Sequence, residues 1–201
     1  ENKEMEFWTQ EEFQAFLEFV ADKPISYYAF EMLYWTGIRE GELLALTPAD
    51  FNFEKKTLRI NKSYQRLEGK DVITDPKTPK SNRTIVMPDF LVVEMEDFIS
   101  SLYGIKDDDR IFTISKSYLH HEMDRGAKLA GVKRIRIHGL RHSHISLLIN
   151  LGFSALAIGE RVGHEAVDIT YHYAHLFPTV QTDMAAQLET EREALVNVRK
   201  E

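Results

Sequence analysis

Apolar residues recur at helical spacing over the first fifty positions, alternate through the middle of the chain, and return to helical spacing after Pro88. Thr9 followed by Glu12 makes a capping box. Phe13, Phe16, Leu17 and Val20 then share one helix face, predicting an amphipathic helix that ends near Asp22. Pro24 suits the first turn of a second helix, whose Tyr28, Met32, Leu33 and Trp35 lead to a stop at Gly37. A short third helix opens at Arg39 and runs through Leu46. From Phe51 the period becomes that of strands, with candidates at 57–60, 71–74 and 83–87. Pro76, Pro79, Ser81 and Asn82 place a turn between the last two. These predict a small antiparallel three-stranded sheet with a basic hairpin tip.

Helices are predicted from Pro88 through Tyr103, and from a cap at Ser115 or Ser117 to about Ala130. A brief extended stretch alternates Arg134 and Arg136 with Ile135 and Ile137. The helix after His138 turns Leu140, Ile145, Leu148 and Ile149 inward and stops at Gly152, and further helices fall over 153–161, 166–172 and 179–198. The fold class is α+β, mostly helical, and residues 1–201 form one domain without repeat, low-complexity tract or linker.

Composition narrows the function. A chain of 201 residues can bury one sizeable core. It has no long apolar run and no signal-peptide pattern, so a soluble, cytoplasmic protein is expected. Its start without Met fits an excised domain. The lack of cysteine removes disulfides, thiolate metal sites and a thiol nucleophile. The formal charge of −7 argues against a nucleic-acid partner, but Lys and Arg concentrate at 77–83 and 125–141 while acid gathers elsewhere. A basic face on an acidic body fits that distribution.

The chemistry concentrates between His138 and Tyr173. His138 and Arg141, three apart, share one helix face, and Gly163-His164 falls at a break between short helices. Tyr173 follows nine residues later. A guanidinium, two imidazoles and a phenol are the inventory for attack on a phosphodiester without metal. Each residue alone has a plainer reading: Arg39 as a solvated charge, His138 as a helix cap, Tyr173 as core or surface, Lys77 as a turn lysine. His138 and His142 also have the four-residue spacing of a zinc pair, with His144, His164, His172 or His175 as a third ligand. Gly139 stands where a zinc protease would carry its catalytic Glu.

Four motifs in order decide between these readings. Thr36-Gly37-Ile38-Arg39-Glu40-Gly41-Glu42-Leu43, His138-Gly139-Leu140-Arg141, Gly163-His164 and Tyr173-Ala174-His175 together resemble the catalytic domain of the tyrosine recombinase (phage integrase) family, over most of the chain. The segment Lys77-Thr78 to Ser81-Asn82-Arg83-Thr84-Ile85 is similar to integrases of Gram-positive phages and conjugative transposons. The resemblance implies site-specific DNA recombination, the integration or excision of a mobile element, through a covalent 3′-phosphotyrosine.

It implies Arg39 and Arg141 as phosphate ligands, His138 for proton transfer and phosphate binding, His164 as donor to the phosphorane, and Tyr173 as nucleophile. The same resemblance implies a hairpin lysine as leaving-group acid, expected to be Lys77 with Lys80 the competing candidate. Lys80 and Arg83 are expected to contact DNA, and Glu42 to orient Arg39. Gly139 departs from the Asp of many relatives at a position that touches no phosphate. The implied partners are double-stranded DNA attachment sites, a homotetramer on DNA, and accessory bending or directionality factors. No cofactor, metal or membrane is implied, and N-terminal DNA-binding domains are expected to be absent from this chain. Type IB topoisomerase activity from the same residues, or an idle DNA-binding module, are the alternatives.

Overall fold

In the computed structural model of the chain, residues 6–75, 81–163 and 179–198 are described. Helix α2 (Pro24–Thr36) runs through the middle because it is apolar on nearly every side. Ala29, Phe30, Met32, Leu33 and Tyr34 are each at most 1% exposed, the pattern of a buried helix rather than a surface one. Helix α1 (Gln10–Glu18) starts at the expected capping box: the Glu12 N–H donates to Thr9 Oγ1 and the Thr9 N–H to Glu12 Oε2. It ends at Glu18, a turn earlier than its apolar pattern suggested. Its Phe13 stacks on Tyr34 with ring centroids 3.9 Å apart, and its Phe16 meets Phe30 edge-on at 4.8 Å. Each such fully buried ring contributes about 1.5–3 kcal/mol from the area it removes from water.

Helices α3 (Glu40–Ala45), α4 (Asp89–Ser101), α5 (Lys116–Ala130) and α6 (Ile137–Asn150) complete the main body. α4 and α6 pack on α2, and α5 packs on α1. The last contact is close because Gly126 has no side chain; a Cβ there would lie 2.4 Å from the Phe16 ring. Ser115, one of the two proposed caps, starts α5 by accepting from the Tyr118 N–H. Helix α7 (Ala155–Val162) lies on α6 over a smaller cluster of Ile145, Ile149, Ile158 and Val162. Helix α8 (Thr179–Val198) has every described side chain, 182–192, exposed. No helix among the described residues is long and apolar enough to cross a membrane.

The strands pair differently from the expected arrangement. One three-stranded antiparallel sheet has the order β1 (Phe51–Asn52), β2 (Thr57–Ile60), β5 (Arg83–Val86), with Leu58 opposite Ile85 and Ile60 opposite Arg83. Residues 71–74 are not part of it. They belong to β4 (Lys70–Thr74), which among the described residues pairs only with β3 (Ser63–Leu67), in a separate hairpin. The hairpin turn is Glu68-Gly69, both at positive φ, the geometry of a two-residue turn that twists with its strands. Tyr64 anchors it: the ring is buried, its hydroxyl donates to Asp71 at 2.8 Å, and Arg110 lies over its face at 4.0 Å. The proposed basic tip at 76–80 lies outside the described residues. Ile135 and Ile137 are buried as their alternation suggested, but no strand forms there.

Candidate active site

The ends of α2 and α7 and the starts of α3 and α6 build the site. α2 ends at Gly37, whose left-handed conformation (φ +67°) turns the chain sharply and points its carbonyl toward α6. Arg141, one turn into α6 and only 2% exposed, donates Nη1–H to that carbonyl at 2.8 Å. Two residues after Gly37, Arg39 forms the N-cap of α3. Glu42 reaches back to it: the carboxylate accepts the Arg39 N–H at 2.8 Å and meets its guanidinium at 3.3 Å. The Arg39 side chain keeps 30% of its surface exposed.

The two guanidinium groups converge on Gly163. A Cβ on that glycine would sit 3.7 Å from Arg141 Nη2 and 4.0 Å from Arg39 Nη1. Two guanidinium groups brought this close have the chemistry to serve one tetrahedral anion, since each offers planar donors and stays charged. His138, in the first turn of α6, adjoins both arginines. Packing around the ring, then the charges of Arg141 and Arg39, hold its pKa below the ordinary histidine value, although the residue stays open to solvent. His142 meets it edge-to-face at 4.8 Å and is pushed down to about 4 by burial and by His138 and Arg141. Both shifts favour the neutral imidazole. Among the described residues no three His, Cys, Asp or Glu side chains are grouped to hold a metal.

Glu42 sits beneath the arginines. Burial alone would raise its pKa, but the Arg83 hydrogen bonds and charge, with the N–H and charge of Arg39, hold it below the usual carboxylate value. Here one expectation needs correction. Arg83, expected on the DNA-facing hairpin, is turned inward with its side chain 5% exposed. It grips Glu42 with two contacts of 3.0 and 2.8 Å, and its Nε–H donates to the Arg161 carbonyl at 3.0 Å. The Glu42 carboxylate that fixes it is distant in sequence, which is why the basic context of 77–83 suggested solvent instead. The stretch 125–141 is likewise less free than its composition implied: Arg125 pairs with Asp22 and Glu122, Arg134 with Asp124, and Lys133 with Glu12.

Of the proposed residues, Arg39, Glu42, Arg83, His138 and Arg141 are brought together. Lys77, Lys80, His164 and Tyr173 lie outside the described residues, although His164 is the direct chain neighbour of Gly163. Gly139 proves structurally demanding: a Cβ there would lie 2.9 Å from the Glu6 carbonyl. The segment ending in Trp8 is docked on α6 at that point, with the Trp8 N–H donating to Ser143 and Ser143 in turn to the Gly139 carbonyl, both at 2.8 Å. Sequence reasoning missed Arg161 and weighed His144 only as a metal ligand, whereas the two are hydrogen-bonded to each other; a lone arginine two residues before Gly163 was the available signal.

The phage integrase family matches residues 6–179. The chain is 32% identical to the ICEBs1 integrase of Bacillus subtilis over 93% of its own length and 55% of that protein's. It is 30% identical to the integrase of Staphylococcus phage L54a over 80% of this chain and 51% of that one. The chain thus spans about half the length of the curated relatives it matches. Among solved structures, the Tn1549 transposon integrase in complex with a circular intermediate DNA aligns over 94% of this chain and 67% of that one, with a TM-score of 0.78 and 22% identity. The catalytic domain of bacteriophage HP1 integrase aligns over 91% and 95%, with a TM-score of 0.65 and 19% identity.

Proposed function

Because this chain belongs to the phage integrase family, that of the tyrosine recombinases, we propose that it is the catalytic domain of an enzyme that breaks and rejoins double-stranded DNA at specific attachment sites, to integrate or excise a mobile element. The observation that carries the reading is the convergence of Arg39 and Arg141 on Gly163, with His138 beside them. In the proposed reaction these arginines hold the non-bridging oxygens of the scissile phosphate, where charge grows in the transition state. The Tyr173 oxygen attacks phosphorus, the bond to the 5′-oxygen breaks, and a 3′-phosphotyrosyl ester and a 5′-hydroxyl result. The phenol proton passes toward His138. The leaving oxygen takes a proton from Lys77, or from Lys80 if that lysine is the acid. His164 donates to the phosphorane. The ester conserves the bond energy, so the reverse attack by a second 5′-hydroxyl reseals the strand without ATP.

Glu42 serves in this scheme by fixing Arg39 from below, and Arg83 by fixing Glu42. A homotetramer on DNA, accessory bending or directionality factors and a cytoplasmic setting belong to the same proposal. The exposed α8, with Met184 and Leu188 bare, favours contact with a neighbouring protomer. A nicked suicide DNA carrying candidate sites, incubated with the chain, tests the reaction: protein becomes covalently attached to a 3′ end. Tyr173→Phe removes one oxygen, so it keeps DNA binding and loses the adduct, whereas Tyr171→Phe retains it. An undiminished adduct from Tyr173→Phe would sink the mechanism.

A further inference from the structure

Behind the two phosphate-facing arginines lies a third guanidinium, which the reaction scheme does not use. Arg161, in the last turn of α7, donates Nη2–H to the Trp35 carbonyl at 3.2 Å, Nη1–H to the Val86 carbonyl at 2.9 Å and Nε–H to His144 Nε2 at 3.1 Å. Those acceptors belong to α2, the end of β5 and α6. Its own carbonyl accepts from Arg83, which holds Glu42 and through it Arg39. One residue therefore ties the end of α7 directly to α2, β5 and α6, and through Arg83 and Glu42 to Arg39. We propose that Arg161 is a positioning residue, which clamps the Val162-Gly163 end of α7 in register with Arg39 and Arg141.

Three features make this more than a structural ion contact. The clamp engages the same end of α2 that seats Arg141: the Trp35 carbonyl lies two residues before the Gly37 carbonyl. Val162 and His144 both fill the place a side chain on Gly37 would take, since a Cβ there would lie 2.8 Å from Val162 Cγ1 and 2.6 Å from His144 Cδ2. Gly163 is then left within reach of both guanidinium groups at a φ of +107°, which L side chains rarely adopt. His144 is fully buried, and burial followed by the Arg161 charge pushes its pKa down to about 3. It stays a neutral acceptor at any pH at which DNA is handled, so the clamp does not open by protonation. A lysine cannot replace Arg161, because a single ammonium cannot direct planar donors to three acceptors on three elements.

The inference rests on the reading of Arg39, Arg141 and Tyr173 as the cleavage site, and two independent readouts separate them. The first is hydrogen exchange of this chain. Arg161→Lys speeds exchange of the amides at 159–163 by about tenfold or more, while the middle of α6 is unchanged, as expected when one local unit opens separately. The second is the rate of covalent adduct formation at saturating protein. It falls about 100-fold, the cost of misplacing reacting groups by about 1 Å, while half-saturation shifts less than about twofold because the phosphate ligands remain.

His144→Gln, which keeps an acceptor, retains most of the rate. His144→Leu falls with Arg161→Lys, and the double variant is no slower than the worse single one. Unaltered exchange at 159–163 in a folded Arg161→Lys protein overturns the clamp, as does a loss confined to DNA affinity. Should the wild-type chain form no adduct, the cleavage reading falls, and the exchange arm alone still decides whether Arg161 holds α7.

Discussion

Replacing Glu42 by Gln removes one charge and almost no volume from beneath two arginines. In the folded chain Arg83 takes both carboxylate oxygens at 3.0 and 2.8 Å, and the Arg39 N–H adds a third bond at 2.8 Å. The Arg83 and Glu42 side chains are 5% and 6% exposed, so neither charge is well screened by water. Breaking such a pair from one side costs roughly 3–5 kcal/mol, because the remaining charge stays buried without its partner. Gln keeps an oxygen for the Arg39 N–H, and Arg83 retains the carbonyls of Arg161 and Ser81. The lower end, about 3 kcal/mol, is therefore the expected loss at pH 7. For a chain of this size it corresponds to a melting temperature lower by roughly 6–12 °C.

The sign of the pH dependence gives the sharper test. The folded pKa of Glu42 lies below its ordinary 4.5. A carboxyl of that kind adds stability that is fully present above its unfolded pKa, about 4.3, and is lost as pH falls through the folded value. The gap between wild type and Glu42→Gln is therefore flat from pH 8 to about 5.5 and narrows below about 4.5. Denaturant titrations of both proteins across that range measure it. A gap that keeps its full size or widens in acid refutes the reasoning, and so does a gap under about 1 kcal/mol at pH 7.

Two further outcomes follow from the same geometry and a third from the proposed reaction. Gly37→Ala combines a left-handed backbone, about 1–2 kcal/mol, with a Cβ 2.6 Å from the His144 ring; Gly104→Ala has a matching φ of +68° and open space, so only the backbone part remains. Equal losses for the two in denaturant titration would contradict the packing around His144. Gly139→Asp drives its Cβ into the Glu6 carbonyl, so it loses about 1–3 kcal/mol and shifts Trp8 fluorescence to the red as the segment lifts from α6; an unchanged emission spectrum would show that the segment accommodates it. Lys77→Ala slows cleavage of ordinary DNA by about 100-fold or more but spares a 5′-bridging phosphorothiolate, whose sulfur leaves unprotonated. Rescue of Lys80→Ala in its place would transfer the acid to Lys80.

Helices were legible because their signals are local. Thr9 with Glu12, Pro24, Gly37 and Ser115 each mark an end within one turn of the residues they cap. Strand pairing was not legible, because the choice of partner is made across the chain. Residues 71–74 carry a strand pattern, yet nothing in that pattern says whether they join β5 or β3, and the Glu68-Gly69 turn lacks the Asn-Gly signal that would have marked the hairpin. Arg39 and Arg141 were found through family motifs, and no spacing rule could have shown that they meet at Gly163. Arg83 and Arg161 were misread or missed for one physical reason: an arginine reads as solvated until its acceptors are known, and here those are a carboxylate 41 residues away and carbonyls 75 and 126 away.

Those separations also set a timetable. Arg141 meets Gly37 across 104 residues, Arg161 meets Trp35 across 126, and Trp8 meets Ser143 across 135. A ribosome adding about 5–20 residues per second leaves roughly 6–25 s between the emergence of Trp35 and that of Arg161. During that interval Arg39 and Glu42 can find one another, but the second fork and the clamp do not yet exist. Contacts closing loops this long form late, since the entropy of closure must be met before they return anything. The pairing of the two arginines therefore waits until α6 and the end of α7 reach the end of α2, and a half-made polypeptide cannot grip a phosphate between them.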